Sequence, residues 1–94
     1  SRIVAIRKLV AQKHGVTVND LCGPRRYPQL IQPRQIAYYI AKRTTSASLP
    51  QIGLQFGGRD HTTILYGIRK IAALAASDPD FAADLEQMIE AVKS

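Results

Sequence analysis

Ninety-four residues, 46% of them hydrophobic and none of them Trp, suffice for one small domain with a mainly aliphatic core. A single cysteine, Cys22, excludes an internal disulfide, no apolar run approaches the length of a membrane span, and no signal-peptide pattern is present. The net charge of +6 is uneven: residues 1–76 hold twelve Lys or Arg against Asp20 and Asp60, whereas residues 77–94 set Lys93 against Asp78, Asp80, Asp84, Glu86 and Glu90.

A basic body with an acidic last segment points to a polyanionic partner, nucleic acid first. A lone cysteine fits a reducing compartment, so the expected location is the cytoplasm, with the nucleoid as the place of work. The chain opens on Ser1 rather than Met, as a trimmed protein or a piece of a longer one would.

In chain order, Ile3, Ile6 and Val10 at helical spacing predict an amphipathic helix over 2–14, with Gly15 as its stop. "TVNDLCG" predicts a one-turn helix capped by Thr17, with Val18 and Leu21 inward and Gly23 at its end. Cys22 reads as a small buried hydrophobe before that turn. "PRRYPQLIQ", residues 24–32, holds two prolines and reads as a loop. Pro33 is expected in the first turn of the next helix, which runs to Lys42 or Arg43. Its buried stripe is Ile36, Ala37, Tyr39 and Ile40, with Arg34, Gln35, Tyr38 and Lys42 on or near the other side.

Ser48 caps a short helix with Pro50 in its first turn, and Gly57–Gly58 end it. Asp60 caps the next, which continues to about Ala76. On that helix Ile64, Leu65, Ile68, Ile71, Ala72 and Ala75 share one side. Thr62, Tyr66, Arg69 and Ala73 lie opposite, flanked by Thr63 and Lys70. Ser77 or Asp78 then caps an acidic closing helix over about 79–92, with Phe81, Leu85, Met88, Ile89 and Val92 as its apolar stripe.

The chain thus reads as a single all-α domain over residues 1–94, a small helical bundle. A short helix, a tight Gly-bearing turn and a second amphipathic helix, over about 48–76, describe a helix-turn-helix. In that motif the second helix enters the major groove and its first residues touch base edges. Thr hydroxyls, an Asp acceptor and a His suit that task, and a helix N-terminus favours phosphate. Catalysis is not expected: no nucleophile or third partner accompanies Asp60 and His61, and neighbours along a helix do not face each other. Nor do His14, Cys22 and His61 have a metal-site spacing.

"GGRDHTTILYGIRKI", residues 57–71, resembles the signature of the C-terminal DNA-binding domain of the bacterial replication initiator DnaA family. "PRQIAYYIAK" (33–42) and "SLPQIGLQFGGRDHTT" (48–63) are similar to the stretches that precede it. "VTVNDLCG" (16–23) and Arg25–Arg26 follow in order and spacing. The similarity covers nearly the whole chain and weakens only in the last helix.

The resemblance implies the TrpR-like, DnaA C-terminal type of bundle and sequence-specific binding of a short asymmetric box in double-stranded DNA, as in recognition of a replication origin. It implies base contacts from Asp60, His61, Thr62 and Thr63, apolar contact to a thymine methyl from Leu49 and Pro50, and a minor-groove role for Arg26. It implies phosphate contacts from Arg25, Arg34, Gln35, Lys42 and Arg59, with Arg25 as the substitute for Arg26 in the minor groove. The chain departs from the family at "YPQLIQ", where further basic and small residues are usual. No cofactor is expected here. The family's ATP chemistry lies in a separate domain, and these residues hold no G-x-x-x-x-G-K-[ST] run. No membrane or small-molecule substrate is expected, and protein partners would act through a region N-terminal to this one. The alternatives are a helix-turn-helix transcription or phage regulator that reads a different site, and an adaptor that docks its basic face on an acidic protein.

Overall fold

Six helices account for almost all of residues 1–94 in the computed structural model. The first, α1 (Arg2–His14), starts at Ser1, whose hydroxyl accepts from the Val4 amide, and stops at Gly15, whose φ of 65° puts it in the left-handed region. It buries Ile6, Val10 and Ala11. A one-turn helix, α2 (Val18–Cys22), is held by a reciprocal capping box: the Asp20 amide donates to the Thr17 hydroxyl and the Thr17 amide to the Asp20 carboxylate. Leu21 is its buried anchor, and Cys22 is half-buried.

The third helix, α3 (Pro28–Thr44), corrects the expected loop over 24–32. It begins five residues earlier than the sequence suggests, with Pro28 in its first turn, and Pro33 lies inside it. A proline there removes the bond its amide would have given to the carbonyl four residues back. Burial offsets that loss: Leu30 is 2% exposed and Pro33 is itself buried. The helix therefore forms from packing, against its local propensity.

The central position of α3 explains a second correction. It packs against all five other helices, so both of its sides are covered. Tyr38, expected on the open side, is 2% exposed and meets Phe56 edge-on, with ring centroids 5.2 Å apart. Burial pushes the Tyr38 phenol pKa up. Tyr39, expected in the core, is only half-buried, and its hydroxyl accepts from Arg43.

The next two helices form the helix-turn-helix. In α4 (Leu49–Gln55), Ser48 and Gln51 make a second capping box and Pro50 sits in the first turn. Its end is set by Gly53, whose carbonyl accepts from the amides of Phe56, Gly58 and Arg59 at 3.0–3.2 Å. Gly53 also lies so close to the Arg59 carbonyl that a Cβ would overlap it. Gly57 has φ 88°, and a Cβ there would collide with the Cys22 carbonyl oxygen. Left-handed strain and overlap together predict that Gly57→Ala costs about 2 kcal/mol or more, a Tm drop of about 10 °C. A thermal melt matching the parent's would contradict this account of the turn.

Asp60 then caps α5 (His61–Ser77), accepting from the Thr62 amide at 3.0 Å. Ile64, Gly67 and Ile71 of α5 are buried, Leu65, Ile68 and Ala75 half-buried, and Ala72 is exposed, at the rim of its stripe. Asp78 caps α6 (Pro79–Lys93), accepting from the Phe81 amide. Leu85, Met88 and Ile89 are buried and Phe81 and Val92 half-buried, so the acidic helix closes the bundle. Arg43 and Glu86, 3.3 Å apart, tie it to α3 through a solvent-exposed pair of little energetic weight. No helix is long and apolar enough to cross a membrane.

Candidate nucleic-acid interface

The leading turn of α5 stands in the open. Asp60, His61, Thr62 and Thr63 are all exposed, whereas Ile64, the next residue, is fully buried. The 3.6-residue period produces that switch: Ile64 anchors the helix and leaves the preceding side chains at its outer tip. Their position therefore depends on Ile64, Gly67 and Ile71 seating the helix against its neighbours.

The tip is polar and locally ordered. Besides capping Thr62, Asp60 holds its Oδ1 at 3.1 Å from His61 Nδ1. These neighbours do face each other, against expectation, because Asp60 lies outside the helix and its side chain folds back over the first turn. The bond from the Thr62 amide holds the Asp60 carboxyl below its ordinary pKa. Its capping contribution is thus present above the usual carboxylate range and lost as pH falls through the lowered value.

Beside the tip runs a groove of about 580 Å³. Arg26 and Pro24 stand on one side, Thr63 and Tyr66 of α5 on another, and Arg34, Gln35 and Tyr38 of α3 line it too. Gly57, Gly58, Arg59 and Asp60 bring the turn of the helix-turn-helix to the same groove. The fold therefore gathers Arg26, Arg34, Gln35, Arg59, Asp60 and Thr63 from three separate stretches of sequence. It leaves Arg25, Lys42, Leu49, Pro50, His61 and Thr62 outside this groove: Leu49 is half-buried and the others are exposed. The Lys42 ammonium donates to the Ala47 carbonyl at 3.3 Å and so leans toward the start of α4.

Two arginines expected at phosphates also donate to the protein's own backbone. Arg34 is 6% exposed, and its Nη2 donates to the carbonyls of Asp20 and Gly23 at 2.7 and 3.2 Å. Burial, then the nearby Arg59 charge, lowers the Arg34 pKa from its ordinary value, although a guanidinium keeps its proton. Arg59 donates to the carbonyls of Phe56, Leu21 and Gly23, the last at 2.7 Å. Both residues satisfy the carbonyl ends of α2 and of the turn, groups with no partner of their own. The sequence hid this because every acceptor but the Phe56 carbonyl lies 11–38 residues away.

The departing stretch also has a structural consequence. Tyr27 is exposed and draws in Arg25, whose Nη1 donates to its hydroxyl at 2.8 Å and whose guanidinium lies 5.7 Å from its ring centroid. Arg26, exposed at the groove, has no such tie. Tyr66 and Ile31, to which the sequence reading gave no site role, both line the groove and are 61% and 51% exposed. Their signal was available only for Tyr66, which the helical wheel places with Thr62. No side chain of α6 lines the groove, so the acidic helix lies clear of it. No group of three His, Cys, Asp or Glu residues could hold a metal ion.

Comparison with known proteins places the whole arrangement. The chain is 48% identical over 84 residues to the chromosomal replication initiator protein DnaA of Cereibacter sphaeroides, covering 89% of this chain and 18% of that protein. With the DnaA of Brucella abortus it shares 47% over 85 residues, 90% of this chain and 17% of the relative. With that of Ruegeria pomeroyi it shares 39% over 89 residues, 95% and 19%. It spans less than a fifth of the length of each of these relatives. The crystal structure of a DNA replication initiation factor superposes with a TM-score of 0.85 at 26% identity, covering 97% of this chain and 28% of that one. Residues 3–71 match the family described as the bacterial dnaA protein helix-turn-helix, and the chain belongs to that family.

Proposed function

We propose that this domain binds double-stranded DNA sequence-specifically, at a short box of the kind a replication initiator recognises at an origin, and performs no catalysis of its own. The observation that carries the reading is the exposed tip of α5. Four hydrogen-bonding side chains, Asp60 to Thr63, stand at the N-terminus of the second helix of a helix-turn-helix in a basic body. Family membership supports the same reading.

In this reading Thr62, Thr63, His61 and Asp60 touch base edges in the major groove, and Leu49 and Pro50 meet a thymine methyl. Arg26 reaches an adjacent minor groove, whose negative potential is strongest where A·T-rich sequence narrows it. Lys42, Gln35 and Arg25 take phosphates, while Arg34 and Arg59 commit their donors to backbone carbonyls and brace the turn. Tyr27 limits Arg25 by holding its guanidinium. The "YPQLIQ" stretch carries no cation, so the phosphate contribution and its salt dependence are smaller than a more basic segment would give.

Selection from random duplexes, followed by footprinting on the winner, tests the reading. A preferred box is expected, and selection that enriches nothing would refute sequence recognition. On the selected box, Thr62→Ala or Thr63→Ala should cost about 1–3 kcal/mol and have little effect on random DNA. Lys42→Ala should weaken both alike and reduce the salt slope by about one. Equal losses on both DNAs for the threonine variants would remove them from the reading role.

A further inference from the structure

Tyr66 is 61% exposed on the outward face of α5. The other tyrosines have internal ties. Tyr38 is buried against Phe56, and the hydroxyls of Tyr27 and Tyr39 accept from Arg25 and Arg43. Tyr66 has neither burial nor an arginine partner, and the Lys70 ammonium, one turn further on, lies 5.9 Å from its ring centroid.

Its direction is set by the residue beside it. Gly67 is buried where α5 presses on α3, and a Cβ there would come within 2.9 Å of the Tyr38 ring and 3.0 Å of Gln35. Successive helical side chains are turned by about 100°, so with Gly67 facing α3, Tyr66 is carried to the lip of the groove. There it lines the same wall as Thr63, while exposed Ile31 lines the groove from α3.

Resting on the DNA-binding reading above, we propose that Tyr66 and Lys70 together grip one backbone phosphate beyond the bases touched by residues 60–63. A reading helix enters the major groove by its N-terminus, so side chains one and two turns back lie level with the strands that wall the groove. The phenol is a neutral donor and the ammonium a charged one, and both suit a phosphate oxygen. The aromatic ring lies beside the Lys70 ammonium and packs on the adjoining deoxyribose.

Fluorescence anisotropy of the chain with one selected and one randomised duplex, at several salt concentrations, tests this. Tyr66→Phe removes only the hydroxyl and should weaken both duplexes by the same factor, about threefold to tenfold, with the salt slope unchanged. Lys70→Ala should weaken both and lower the slope by about one. Tyr66→Phe binding as tightly as the parent would overturn the phosphate role. A loss confined to the selected duplex would make Tyr66 a base reader and overturn it equally. If the parent prefers neither duplex, sequence recognition fails, yet the Tyr66→Phe comparison on the randomised duplex still decides the phosphate contact.

Discussion

Phe56→Ala is expected to lower the unfolding free energy by about 3–5 kcal/mol, the usual range for deleting a buried aromatic ring. Phe56 is fully buried, although it belongs to the turn after α4 rather than to a helix interior. Its ring abuts Tyr38 at an interplanar angle of 78°, and such edge-on pairs add to the area term. A domain of this size has about 5–15 kcal/mol in all, so the variant should sit near the edge of folding. Urea unfolding followed by far-UV circular dichroism reads the effect. Phe56→Leu should recover much of the loss, because it refills most of the cavity. A penalty under about 1 kcal/mol for the alanine would mean the neighbours collapse into the space, contrary to the packing described.

Arg59→Ala is the second large effect, and it separates two roles for one residue. As a phosphate ligand, Arg59 would matter to DNA and little to stability. Its actual partners are the carbonyls of Leu21, Gly23 and Phe56, which join α2 to the turn of the helix-turn-helix. Removing the guanidinium leaves part-buried acceptors unsatisfied, at a cost of about 3 kcal/mol. Arg59→Lys should not restore it, since a single ammonium cannot span the carbonyls of two segments as the planar fork does. Denaturant titration of both variants measures this. At a temperature where each is folded, the salt slope of DNA binding should match the parent's. A stable alanine variant with a slope reduced by about one would return Arg59 to the phosphates.

Much of the site was legible because it is built from short-range rules. Asp60 as the cap of α5 and Gly57–Gly58 as the break before it follow from chemistry within a few residues. The exposed and buried faces of α5 follow from one apolar period, which places Thr62, Thr63 and Tyr66 outward and Ile64 inward. The same holds for α6, whose continuous stripe identified it as the closing helix despite its charge. The groove was not legible, because its walls come from α3, α5 and the 23–26 segment together.

Five of the six helices could be read from the residues nearly to their ends, with the caps Thr17, Ser48 and Asp60, the glycine-borne turn and the split between a basic body and an acidic end. Those properties depend on neighbours three or four residues away, which a sequence displays directly. Long-range packing was needed to show that α3 starts at Pro28 and runs through Pro33, that Tyr38 rather than Tyr39 fills the core, and that Arg34 and Arg59 turn inward. The first three and the Arg34 contact follow from α3 lying among five other helices, whereas Arg59 turns in because its turn packs on the end of α2. There, burial of apolar surface outweighs a proline's lost hydrogen bond, and distant carbonyls that need donors draw in the nearest guanidinium.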